Sequence, residues 1–278
     1  MAYIDGKFIR GTAGAVIFKK VGKKQVVVGK SKKEFIDMTP ATYNAAYVFG
    51  RASTLASYIR GSAEPIIGFH DGGMISRFTG ECNQIVQKAS TDKEGVFDFR
   101  QDYFNRLNGF EFNNMSPVKN YLFAQPMVSL TEQNVTIDFP EIKVPKDLKF
   151  PPNARYCTVA FSVTLFDLEN DQFQLQDIQS FEIEINAKSF THPAQQLIFE
   201  SSAGSLCVVT LALYYSEKTF AGNAVINNKE FCPSAVLKAE FCPGEQTKQE
   251  GWMEMVFNEK KKHKKASKPK KKSDDQTE

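Results

Sequence analysis

The sequence predicts an α+β protein that is mostly β, with short strands and helices first and an antiparallel sandwich after them. Three observations carry this. Glycines punctuate β-rich runs over the first 29 residues, at Gly6, Gly11, Gly14, Gly22 and Gly29. Apolar residues then recur at helical spacing. From Phe110 onward the apolar period falls to two. The chain has 24 Phe against 9 Tyr and 1 Trp, a composition that suits pleated, half-buried surfaces.

In chain order, Ala15 to Phe18 and Gln25 to Val28 form a hairpin around Val21-Gly22-Lys23-Lys24. Thr39 is an N-cap and Pro40 suits a first helical turn. The stripe Ala45, Val48, Phe49, Ala52, Leu55, Ala56 and Ile59 gives a helix facing a core, ended by Arg60 and Gly61. A second helix runs from about Gly73 to Ala89 on Ile75, Phe78, Cys82, Ile85, Val86 and Ala89. A short third covers Arg100 to Leu107, closed by Gly109.

Phe110 and Phe112 open the strand-like half. Val128 to Leu130 and Val135 to Phe139 flank a Thr131-Glu132-Gln133-Asn134 turn. Pro140, Pro145, Pro151 and Pro152 mark an edge or linking segment. Longer strands follow at Tyr156 to Asp167, Gln179 to Asn186, Gln196 to Glu200, Leu206 to Ser216 and Ala235 to Phe241. Phe181, Ile183 and Ile185 alternate with Glu182, Glu184 and Asn186, one wet face against one buried face. Together these strands predict an antiparallel immunoglobulin-like β-sandwich. The organisation is residues 1–109, residues 110–258 and a Lys-rich tail, 259–278, too poor in apolar surface to order itself.

Formal charge is uneven. The last 20 residues hold nine Lys and four acids, which leaves 26 basic and 28 acidic residues before them, a net of −2. The basic character is therefore read as sitting in the tail, and the folded part shows no bias towards nucleic acid. The tail lysines, Lys260, Lys261, Lys262, Lys264, Lys265, Lys268, Lys270, Lys271 and Lys272, are the candidate polyanion site. They would neutralise nucleic-acid phosphates without reading bases. No apolar run approaches the ~20 residues of a membrane helix, and the N-terminus lacks a signal-peptide pattern. Five widely spaced cysteines without CxxC suggest a reduced, cytoplasmic protein.

Motifs for chemistry fail on spacing. Gly29-Lys30-Ser31 follows a strand, but Lys24 stands where a phosphate loop needs its first glycine. Gly6, Gly11 and Gly14 do not match a dinucleotide fingerprint and are assigned to tight turns or close backbone packing. Cys232 and Cys242 lack further metal partners in sequence. His70-Asp71 is the one His–acid neighbour pair and reads as a polar turn entering the second helix. Glu182 and Glu184 share a strand face, as solvated acids do. The expectation is no catalytic residue, no cofactor and no metal.

Several segments also carry a resemblance. They are Gly11-Thr12-Ala13-Gly14-Ala15-Val16, the Gly22 turn, Val26-Val27-Val28, Thr39-Pro40-Ala41-Thr42 and Phe49-Gly50-Arg51-Ala52. Phe97-Asp98-Phe99-Arg100, Gly109 to Asn113, and Pro152-Asn153-Ala154 leading to Phe166-Asp167 belong to the same set. This set, across roughly residues 5–245, resembles an uncharacterised bacterial domain-of-unknown-function family. The resemblance implies a glycine-rich segment and helices joined to sandwich-like strands, and it transfers no functional residue. The chain departs from the pattern at Val28-Gly29-Lys30, where an arginine is expected after the second strand. The functional expectation is a non-enzymatic structural or protein-interaction protein, a subunit of a larger assembly that self-associates or binds a protein partner. The alternatives are a nucleic-acid-associated protein acting through the tail and, last, a hydrolase centred on His70-Asp71.

Overall fold

The computed structural model describes residues 1–30, 39–91, 96–100, 102–185, 189–246 and 250–257. The chain divides into two compact units, Met1–Asn44 and Ala45–Glu278. The boundary expected at 109/110 lies inside the larger unit, because the helices there share one core with the strands that follow.

The first unit is a four-stranded antiparallel meander: β1 (Tyr3–Asp5), β2 (Phe8–Ala13), β3 (Val16–Val21) and β4 (Lys24–Gly29). Gly6, Gly14 and Gly22 make the three turns with positive φ, as their spacing predicts. Gly11 serves the close backbone packing also expected of these glycines. Its φ is +98°, and a Cβ there would meet the Met1 carbonyl oxygen at 2.4 Å.

Helix α1 (Pro40–Ile67) is capped as expected, with the Thr42 amide donating to Thr39 Oγ1 at 3.2 Å. It does not stop at Gly61. An interior glycine costs only about 1 kcal/mol, and Ser62, Ala63, Ile66 and Ile67 beyond it are buried. The helix passes over Pro65 and ends before Gly68, whose φ of +64° provides the left-handed exit. The predicted stripe is buried except at its edge, where Ala45 and Phe49 are exposed and Arg51 is buried instead.

Helix α2 (Met74–Ala89) buries Phe78, Cys82, Ile85, Val86 and Ala89. The third predicted helix is a 3-10 turn, Tyr103–Leu107. Its two buried residues, Phe104 and Leu107, stand three apart, the spacing one 3-10 turn repeats. Phe110 and Phe112 form no strand of their own. The Phe112 amide donates to the Ser234 carbonyl at 2.9 Å and the Val236 amide to the Phe110 carbonyl at 2.9 Å, so this segment lines a later strand's edge.

The remaining strands are β5 (Met127–Leu130), β6 (Asn134–Phe139), β7 (Ile142–Val144), β8 (Tyr156–Asp167), β9 (Gln172–Leu175), β10 (Gln179–Glu184), β11 (Phe190–His192), β12 (Gln195–Glu200), β13 (Leu206–Thr219), β14 (Gly222–Val225), β15 (Ser234–Phe241) and β16 (Met253–Glu254). Every pairing is antiparallel. One sheet runs β14-β13-β8-β9-β16, with β10 also on β8 and β15 also on β13; a second runs β12-β6-β5; β7 pairs with β11. The class is α+β and mostly β.

Strands β8 and β13 read as long apolar runs because both their faces are covered. Phe166, Leu206, Val208, Val236 and Ala239 face the core shared with α1 and α2. Val159, Phe161, Val163, Val209, Leu211 and Leu213 face a second core with Val135, Ile137 and Phe139 of β6. On β10, Ile183 is buried while Glu182 and Glu184 are exposed, as the alternation predicts. No helix among the described residues is long and apolar enough to cross a membrane.

Candidate functional site

Two surfaces stand out, one in each unit. The first is the N-terminal sheet. Not one described side chain of residues 1–44 is buried, although the unit holds four strands. A unit this small rarely stands without disulfides, a metal or association, and residues 1–44 hold no cysteine. The β3–β4 register places Lys19 beside Val26, Val21 beside Lys24 and Ile17 beside Val28, so these six share one face. Val21 is 60% exposed and Val28 40%. The opposite face is engaged by β2. Gln25 bonds both the amide and the carbonyl of Ile9, at 2.8 and 2.9 Å, and Lys20 lies over the Phe8 ring at 4.6 Å. All of β4 is exposed, and it ends the sheet.

Charge corrects a sequence expectation here. The first 30 residues carry seven basic side chains and one acid, a net of +6, and residues 45–258 carry 17 basic and 25 acidic, a net of −8. The near-neutral value before the tail is the sum of a basic sheet and an acidic remainder. A count over successive windows shows this signal; a sum over residues 1–258 cancels it.

The second surface is an open groove of about 790 Å3 in the larger unit. Val96, Phe97, Phe99, Leu168 and Phe241 give it apolar walls, and its charged lining residues among those described are Asp98 and Glu169. The floor holds Cys242, whose Sγ accepts from Ser201 Oγ at 3.0 Å. The Cys207 thiol, then Ser201 and Ser205, hydrogen-bond the sulfur and hold its pKa down to about 6 against the desolvation that raises it. Cys157, by contrast, is pushed well up by burial in the strand core. Nothing local in the sequence marks the groove, since its walls come from four separate stretches.

The sequence-stretch candidates for chemistry are dispersed. Cys232 donates to the Ile67 carbonyl at 2.9 Å, beneath the end of α1 and away from Cys242's partners. No group of three or more His, Cys, Asp or Glu among the described residues is placed to hold a metal. Glu184 is paired with Arg155 at 3.1 Å. Gly29 ends β4, and Ser31 lies outside the described residues, as do the tail lysines from Lys260 to Lys272.

His70 and Asp71 do form a turn into α2. The Asp71 carboxylate accepts from the Gly73 amide at 2.7 Å and the Asn114 amide at 3.0 Å, and pairs with Arg77. The His70 ring meets the Asp71 backbone carbonyl at 3.0 Å instead of its carboxylate. His70 lines a depression of about 340 Å3 with Arg60 and Glu64.

Burial raises the Asp71 pKa, but the Asn114 and Gly73 amides and Arg77 outweigh it, so the folded value lies below the ordinary one. A depressed carboxylate stabilises the fold above the unfolded pKa of about 3.9, and that contribution is lost as pH falls through the folded value. Asp71→Asn is therefore expected to be less stable than the parent at pH 7. The gap should close on acidification below about pH 4. Urea denaturation across that range checks it, and a gap independent of pH would refute the assignment.

Comparison with protein-family models, with curated proteins and with solved structures returns no match for this chain.

Proposed function

We propose that this chain is a non-enzymatic structural or protein-interaction protein, a subunit of a larger assembly. In this reading its C-terminal strands act as an immunoglobulin-like scaffold and its N-terminal sheet as the docking module. One observation carries the reading: four paired strands whose described side chains include no buried one. Conformational entropy opposes ordering each of these residues by roughly 1–2 kcal/mol. Apolar burial normally offsets that cost, and here a partner surface has to supply it. The free cysteines, all five buried, fit a reducing bacterial cytoplasm.

Sedimentation velocity on the full chain, with a native pull-down, tests the proposal. The expected result is self-association or a stoichiometric protein partner, with slowed hydrogen exchange at the Val26, Val27 and Val28 amides in the assembled form. A strict monomer that captures nothing would overturn it.

A further inference from the structure

We propose that the lysine–valine face of β3 and β4 in one copy docks into the Asp98–Glu169 groove of a second copy, building a head-to-tail assembly. This rests on the docking reading above and names the partner. The face presents Val21, Val26 and Val28 between Lys19 and Lys24. It needs a surface that is both apolar and acidic. A phosphate backbone supplies the charge but leaves the valines wet. A protein groove with aromatic walls and carboxylates on its lining supplies both.

The chain carries such a groove. Val96, Phe97, Phe99 and Phe241 match the valines, and Asp98 and Glu169 match the lysines. Both acids are exposed, so they lose hydration only when the contact forms. The long-range field agrees, with +6 on the first 30 residues against −8 on residues 45–258. Pairing of like faces is disfavoured, because each copy would bring Lys19 and Lys24 against the same lysines of the other, and β3 and β4 hold no acid to meet them. Two different surfaces in contact make a heterologous interface, which closes into a ring or continues as a filament.

The test uses full chains in sedimentation velocity. A sheet variant carries Lys19→Glu and Lys24→Glu; a groove variant carries Asp98→Lys and Glu169→Lys. Each alone is expected to associate at least about tenfold more weakly than the parent. Mixed, the intact sheet of one meets the intact groove of the other and the reversed sheet meets the reversed groove, so the mixture should regain assembly with the two variants alternating. A chain with all four reversals should regain assembly, which also shows that the variants fold.

Assembly unchanged in both variants, or no assembly on mixing, overturns the proposal. So does retention of duplex DNA that the sheet variant loses while assembly stays constant, since the occupant is then a polyanion. A monomeric parent that still captures a protein through the sheet overturns the second copy as partner but leaves the docking reading standing. A monomer that captures nothing removes both.

Discussion

Phe78→Ala is expected to destabilise the larger unit by about 3–5 kcal/mol, the usual cost of truncating a fully buried aromatic. Phe78 is completely buried on α2. Its ring meets Phe110 edge-on at 4.9 Å and stacks on Phe112 at 5.9 Å. Those two phenylalanines belong to the segment that hydrogen-bonds along β15, through Gly109 to Val236 at 2.8 Å and Phe112 to Ser234 at 2.9 Å. The side chain thus fastens a helix to a sheet edge, and the space left by truncation would be walled by two rings that their own backbone bonds hold in place. Domains of this kind have roughly 5–15 kcal/mol of stability in all, so the loss is a large fraction. Phe78→Leu keeps most of the volume and should cost about 1–2 kcal/mol. Urea denaturation of both variants checks the pair. A loss below about 1 kcal/mol for the alanine variant would show that α2 is not anchored through this ring.

How far the sequence discloses this protein depends on the distance over which each feature is built. Strands β8 and β13 were legible because an apolar run covered on both faces is written in consecutive residues. The two helices were legible from their stripes. The end of α1 was not, since Gly61 is a good stop signal locally and the residues that carry the helix past it are held by packing. The 3-10 turn at Tyr103–Leu107 has the sequence pattern of a helix because two apolar residues three apart fit either geometry. Phe110 and Phe112 carry a strand's alternation, which alone does not show that their partner is one edge of β15. The basic N-terminal sheet was present in the sequence but was averaged away against an acidic body. The groove was invisible, because Val96–Phe99, Leu168–Glu169, Gly204 and Phe241–Gln246 meet only in the fold.

Asn227 is the polar residue that pattern reading could not have found, and its replacement carries the second large effect. Strand β13 pairs with β15 as far as Ala212 and with β14 from Ser216 onward. Between those ladders the backbone of Leu213 and Tyr215 needs partners on that side. The Asn227 side chain supplies two: its Nδ2 donates to the Leu213 carbonyl at 2.8 Å, and its Oδ1 accepts from the Tyr215 amide at 2.7 Å. A primary amide has the same donor and acceptor as a peptide unit, so the side chain stands in for one strand residue. Asn227→Leu removes both bonds and leaves an amide and a carbonyl buried, at about 1–3 kcal/mol each, so a loss of about 2–6 kcal/mol is expected. Asn227→Asp is nearly isosteric but cannot donate when ionised, and it sets a carboxylate oxygen against the Leu213 carbonyl. It should therefore also destabilise at neutral pH and recover in part on acidification, when the carboxyl regains a proton to donate. Thermal melts of the three proteins, with hydrogen exchange at the Tyr215 amide, separate bonding from packing. If the leucine variant melts with the parent while that amide stays protected, β13 finds its partners elsewhere and the bridging role of Asn227 is wrong.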